Sequence, residues 1–216
     1  MSRKRIGLIA VLIFTSSYAQ ANIIRHYLLE PYAGYGQATS DVVATPYATV
    51  PVQPGQTIAN FQLTGLGYGI RLGTELDYYG LTLAGDYFSS SISGTGLSEV
   101  PGQFGIKRNL ALTTMGVLVG CHLPTMPLRF WAEYLFYAVG SDVSDYNHGQ
   151  TATGPSSYKI GIGYYLNSYL TMSLEYADIS LSRTSFNYQD FTYFYGKEDV
   201  RLAMFTIGFD FGAFFR

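Results

Sequence analysis

Leu66-Gly67-Tyr68-Gly69-Ile70-Arg71-Leu72-Gly73 is the stretch whose reading decides the fold. Successive side chains of an extended strand point to opposite faces. Leu66, Tyr68, Ile70 and Leu72 therefore share one face, and Gly67, Gly69, Arg71 and Gly73 share the other. Working outward, the same period of two runs from Ala59 to Phe215. Leu81 and Leu83 alternate with Thr82, Ala84 and Asp86; Phe130, Ala132, Tyr134 and Phe136 oppose Arg129, Trp131, Glu133 and Tyr137. Tyr158, Ile160, Ile162 and Tyr164 oppose Lys159, Gly161, Gly163 and Tyr165, and Leu170, Met172, Leu174 and Tyr176 oppose Thr171, Ser173 and Glu175. Phe205, Ile207, Phe209 and Phe211 oppose Thr206, Gly208 and Asp210. One segment breaks step: Leu110 and Leu112 are out of phase with Met115, Val117, Val119 and Cys121. The second set is assigned to the oily face, with a bulge or a start inside a loop to account for the first.

This pattern predicts eight strands, at 26–38, 61–75, 79–92, 108–122, 128–141, 156–166, 169–182 and 200–215. Links after the second, fourth and sixth strands are short; segments 39–60, 93–107, 142–155 and 183–199 are long. Strict alternation of short and long links is the signature of a transmembrane barrel, with short periplasmic turns and long extracellular loops. The chain is accordingly expected to be all-β, an eight-stranded antiparallel up-and-down transmembrane barrel with both termini in the periplasm.

The first residues carry an address. Ser2-Arg3-Lys4-Arg5 is basic, Ile6 to Phe14 is apolar but too short to span a bilayer as a helix, and Ala19 and Ala21 form an A-x-A cleavage site. Residues 1–21 are thus expected to be a cleavable signal peptide and 22–216 a single barrel domain. Removing Arg3, Lys4 and Arg5 leaves 10 basic against 15 acidic residues, a net charge of −5 that argues against a nucleic-acid partner. Only 13% of residues are charged while 16% are aromatic, and Cys121 stands alone, so no internal disulfide is possible. Export, aromatic richness and the absence of an apolar helical span after the signal fit the outer membrane of a diderm bacterium.

Collecting the face opposite the oily one gives Glu30, Arg71, Asp86, Arg129, Glu133, Lys159, Glu175 and Asp210. Eight strands enclose a space just wide enough for side chains to fill. These charges are expected to pair inside and close the lumen, with interior glycines making room for long side chains. Tyr27 and Tyr35, Tyr79 and Tyr87, Tyr158 and Tyr164, and Tyr169 and Tyr176 are spaced to reach both bilayer interfaces.

Tyr27–Gly36 (YLLEPYAGYG), Gly65–Gly73 (GLGYGIRLG), Trp131–Tyr134 (WAEY) and Ile207–Phe215 (IGFDFGAFF) together resemble the small eight-stranded outer-membrane β-barrel family that includes the OmpA transmembrane domain, OmpX and OmpW-like proteins. The likeness covers nearly the whole mature chain and speaks to architecture rather than activity. It implies assembly by the barrel-assembly machinery, which reads a terminal aromatic; here Phe215 is followed by Arg216, a departure from the family pattern. It also implies outer-membrane lipid and lipopolysaccharide as surroundings, and a monomer.

Catalysis would need a nucleophile within reach of a base. The three histidines are His26, His122 and His148; only His148 has serines nearby in sequence, Ser141 and Ser144, and nothing fixes their geometry. No metal-ligand spacing is present and no cofactor is implied. The expected role is a structural, surface-exposed barrel without catalysis that displays four loops. Two alternatives are a narrow channel or small-solute barrel, and an adhesin binding through Phe186, Tyr188, Phe191, Tyr193, Phe194 and Tyr195, since exposed aromatic patches mark contact sites.

Overall fold

The computed structural model describes residues 25–44, 55–76, 80–98, 106–123, 126–142, 150–153, 157–188 and 191–215; the expected signal peptide, Tyr79 and His148 lie outside them. Among these residues nine strands follow in order: β1 Arg25–Ala44, β2 Thr57–Leu76, β3 Leu81–Ser98, β4 Ile106–His122, β5 Leu128–Asp142, β6 Gln150–Thr153, β7 Ser157–Tyr165, β8 Leu170–Tyr188 and β9 Phe191–Phe209. All pairings are antiparallel, and β1 pairs with β9 as well as β2, so the sheet closes on itself. The short β6 and β7 both lie between β5 and β8 and together make one stave. The result is an eight-staved closed barrel.

The strands run further than expected. β1 reaches Ala44, β3 reaches Ser98 and β8 reaches Tyr188, while β9 begins at Phe191. The expected fourth loop, 183–199, is therefore mostly strand, and only 189–190 separate β8 from β9. Cross-strand partners such as Ser185↔Tyr195 and Phe186↔Phe194 carry the pairing outward. At the other end the last strand stops early. Alternation ends at Phe209, and Phe211–Phe215 form a 3-10 helix, so Phe215 does not continue the phase of Phe209 and Phe211.

Two further readings change. β4 needs no irregularity before Met115, because its pairing with β3 is continuous from Leu81↔Cys121 to Gly96↔Ile106. Leu110 and Leu112 face the interior and are completely buried there. The irregularity sits in β5 instead. Met115 pairs with Tyr137 and Gly116 with Leu135, so Phe136 is an extra residue. That bulge turns Tyr137 outward, away from the interior position alternation assigns it.

Leu110 and Leu112 point to a larger feature. Near the terminal end the exterior is oily: Leu66, Tyr68, Leu72, Val117, Val119, Ile160, Ile162, Leu174 and Ile207 are all exposed. Further along the same strands the exterior becomes polar, with Gln37 and Thr39 on β1, Gln62 and Thr64 on β2, Ser91 and Ser93 on β3, and Arg201 on β9. The interior changes in the opposite sense. Charged groups fill it beside the oily belt, and Phe61, Leu63, Ile92, Leu110, Leu112, Ile179, Leu181, Val200 and Leu202 fill it beside the polar collar. A membrane strand needs about 9–11 residues to cross a bilayer. β1, β2 and β3 have 20, 20 and 18. The lower half is a lipid-facing barrel and the upper half is built as a water-soluble one.

This boundary is testable by charge. Ile207→Arg, between Phe205 and Phe209 on the oily face of β9, is expected to lower unfolding free energy in phospholipid vesicles by about 2–4 kcal/mol, whereas Ser93→Arg, on the collar, should cost no more than about 1 kcal/mol. Equal costs in a denaturant titration would move the boundary.

Candidate functional site

Alternation on six different staves aims seven of the eight expected interior charges at one another. Glu30 comes from β1, Arg71 from β2, Asp86 from β3, Arg129 and Glu133 from β5, Lys159 from β7 and Glu175 from β8. All seven are buried. Registers place Glu30 beside Arg71, Arg71 beside Asp86, and Glu133 beside Lys159, so the sheet itself brings opposite signs together.

Glu30 is the hinge of the network. Arg129 donates to it through both terminal nitrogens, at 2.6 Å to Oε2 and 2.8 Å to Oε1, and Arg71 Nη1 donates to Oε1 at 3.0 Å. Arg71 Nη2 reaches Glu175 Oε1 at 2.5 Å, and the Thr206 hydroxyl donates to the same oxygen at 2.8 Å. Lys159 Nζ binds Asp86, lies 2.9 Å from Glu133 Oε2 and stands 3.7 Å from Glu175 Oε2. Tyr32 OH lies 2.9 Å from both oxygens of Asp86. Three cations thus meet four carboxylates, and charge-assisted bonds of this kind are the strong ones available to side chains.

Aromatic rings stack through the same groups. The Arg71 guanidinium lies 4.1 Å from the Tyr32 ring centre and 4.8 Å from that of Trp131; the Arg129 guanidinium lies 4.9 Å from Trp131 and 5.5 Å from Tyr165. Trp131 thus lies against two cations. Glycines admit these bulky groups: a side chain at Gly161 would run into the Trp131 indole, and one at Gly116 would begin 2.7 Å from Glu133 Cγ.

Asp210, the eighth expected charge, also turns inward, but its Oδ1 accepts the Gly212 N–H at 2.9 Å in the C-terminal 3-10 turn. A second ion pair, Arg108 with Glu198, lies among the apolar residues above. Arg108 Nη1 and Nη2 donate to the two Glu198 oxygens at 2.6 and 3.0 Å, Ser40 bridges both partners, and the Phe61 ring lies 5.0 Å from the guanidinium. Sequence reading left Glu198 in the fourth loop and, although Arg108 opened the fourth strand, did not count it among the interior charges; carrying the inward phase of β4 through Arg108 and extending that of β9 by two residues would have placed both inside. A third contact was also missed, His122 Nδ1 at 2.8 Å from Glu75 Oε1 near the terminal end.

Between the ionic and apolar layers, Phe88, Thr114, Lys159, Glu175, Leu202 and Met204 border a void of about 10 Å³, room for a single water at most. The six aromatics expected as a contact surface, Phe186, Tyr188, Phe191, Tyr193, Phe194 and Tyr195, belong to the backbone of the β8–β9 hairpin rather than to a loop. Cys121 is exposed on the oily face.

The two ion clusters should respond differently to substitution. Arg71→Met leaves Glu30 only Arg129 and takes from Glu175 its nearest cation, and is expected to cost about 3–5 kcal/mol. Glu198→Leu alone should cost a similar amount, but the double change Arg108→Met/Glu198→Leu should recover most of it, because apolar neighbours suit an apolar pair. Denaturant titrations of the four proteins in one lipid check both statements.

No family model matches the chain, and no curated protein matches its sequence. Among solved structures it is similar to the outer membrane protein OprG from Pseudomonas aeruginosa, at 13% identity and a TM-score of 0.48, covering 86% of this chain and 97% of that one. It is also similar to Ail, the attachment invasion locus protein of Yersinia pestis, solved with the heparin analogue sucrose octasulfate, at 9% identity and 0.47, covering 86% and 99%. The outer membrane protease OmpT from Escherichia coli aligns at 9% identity and 0.39, covering 85% and 97%. On its own geometry, with closed pairing, grease outside and ion pairs within, the chain is an eight-staved antiparallel transmembrane β-barrel.

Proposed function

We propose that this barrel sits in the outer membrane of a diderm bacterium as a structural, non-catalytic protein with a sealed lumen, its termini periplasmic and its polar collar standing on the cell surface. The observation that carries the reading is the stacking of two unlike layers inside one narrow tube. A permeating ion would have to break the Glu30–Arg71–Arg129 contacts and then cross a dry stretch bounded by Phe61, Leu63, Leu112, Ile179 and Leu202. Stripping an ion of water is costly in such surroundings. Orientation follows from the links: those at the terminal end, 77–80, 123–127 and 166–169, are short, the pattern of periplasmic turns. The N-terminal export signal read from the sequence supports the same address.

The non-enzymatic part of the reading rests on the histidines. His122 Nδ1 lies 2.8 Å from Glu75 Oε1, and neither His122 nor His26 has a serine two or four residues away on its own strand face. Surface display is the role left to the collar. β8 and β9 stay paired out to Tyr188↔Phe191. That hairpin carries the six aromatics and is the proposed contact surface for an extracellular partner.

Planar-bilayer recording tests the sealed lumen. Purified wild-type barrel should give no stable stepwise conductance, and Arg71→Ala/Arg129→Ala should raise leak above the wild-type baseline. A reproducible wild-type channel whose conductance changes with either arginine would replace this reading with the narrow-channel one.

A further inference from the structure

On the outside of the barrel, four staves present their side chains in level rows across β2, β1, β9 and β8. The first row is Leu66, Tyr35, Phe205 and Leu174, the upper edge of the oily belt. The next is Thr64, Gln37, Ala203 and Tyr176, and the one above it is Gln62, Thr39, Arg201 and Asp178. Grease gives way to uncharged amides and hydroxyls within a single step, and charge enters one step later. Ala203 is small, and a depression of about 540 Å³ forms around it, lined by Gln37, Thr39, Gln62, Thr64, Tyr176 and Arg201. That size lies within the range of small-molecule sites, about 300–1,000 Å³.

We propose that this depression seats the sugar-phosphate headgroup of a glycolipid in the surrounding leaflet; the inference rests on the outer-membrane reading and names one lipid contact for it. Continuity with the belt supplies the first reason. A molecule whose acyl chains lie along Leu66, Tyr35, Phe205 and Leu174 places its headgroup directly in the rows above. The lining supplies the second. Gln37, Gln62, Thr39 and Thr64 offer both donors and acceptors, the complement of a ring of hydroxyls. Tyr176 provides an aromatic wall beside them. Arg201 makes one exposed contact, Nη1 to Asp41 Oδ2 at 3.7 Å, leaving other donors of its planar fork for a phosphate oxygen. Charge also sets what the site rejects. Asp41 and Asp178 flank Arg201, so a bare phosphate anion gains little, whereas a sugar carrying one phosphate satisfies the neutral groups and the cation together.

The test compares wild type, Ala203→Trp, Gln37→Ala/Arg201→Ala and a control, Ala132→Trp, which adds the same bulk to the oily face of β5. Each is refolded into phosphatidylcholine nanodiscs doped with lipid A, a phosphorylated glucosamine disaccharide lipid, and bound lipid A per barrel is counted by native mass spectrometry. Wild type and Ala132→Trp should retain it, and the other two should retain at least tenfold less. Equal retention by Ala203→Trp overturns the site. Displacement by millimolar inorganic phosphate or by glucosamine phosphate assigns the depression to a free anion or sugar phosphate and overturns the lipid proposal. Insertion without any lipid A retention refutes the depression alone, whereas failure of the barrel to insert refutes the membrane reading beneath it.

Discussion

The pairing of β1 with β9, from Tyr32↔Gly208 to Ala44↔Gly196, is the contact on which the rest depends. Inside a bilayer no water is available to satisfy backbone N–H and C=O groups, and each one left open costs several kcal/mol. An open sheet would expose two such edges to lipid. Closure removes both, and it fixes the circumference at eight staves. A tube of that size has an interior that side chains fill completely. Everything inside then has to be paired with something else inside. Glu30 satisfies two guanidiniums, Arg71 satisfies two carboxylates, and Trp131 lies against both arginines because Gly161 leaves it space.

A single closed sheet here serves two solvents. Long strands reverse their hydrophobic phase partway along, and in the β2–β3 and β3–β4 pairings they do so without any change in backbone register. On β2 the inward residues pass from Arg71 through three glycines to Leu63 and Phe61, while the outward ones pass from Leu72 and Ile70 to Gln62 and Asn60. On β4 they pass from Gly116 to Leu112 and Leu110. The collar therefore has an ordinary apolar core. The Arg108–Glu198 pair inside that core makes sense as a tie between β4 and β9, which are not neighbours in the sheet.

Much of this was legible because a period of two carries over directly from sequence to face. The oily residues of seven staves, and the inward direction of Glu30, Arg71, Asp86, Arg129, Glu133, Lys159 and Glu175, follow from alternation alone. What alternation could not supply was the change of solvent along the strand. Leu110 and Leu112 looked out of phase only because one rule, oily means outside, was applied over a length where the rule inverts. The same assumption ended the strands at the belt, left Glu198 in a loop and kept Arg108, at the start of the fourth strand, out of the interior set. Tyr137 was misplaced for a different reason. A one-residue bulge at Phe136 leaves no mark in composition, since Phe, Tyr and Leu suit either face of that strand. The 3-10 turn at Phe211–Phe215 was hidden in the same way, by aromatics that continue the pattern after the strand has stopped.

The position of Trp131, the chain's only tryptophan, has a spectroscopic consequence. Small membrane barrels commonly carry indoles in their interfacial girdles, where emission follows insertion into lipid. Here the indole lies within the tube, 5% exposed and flanked by two guanidiniums. Its fluorescence reports the joining of β2, β5 and β7 around it, and quenchers attached to acyl chains are kept away by the wall of the barrel. The chain thus carries a built-in optical probe of closure, separate from any signal of adsorption.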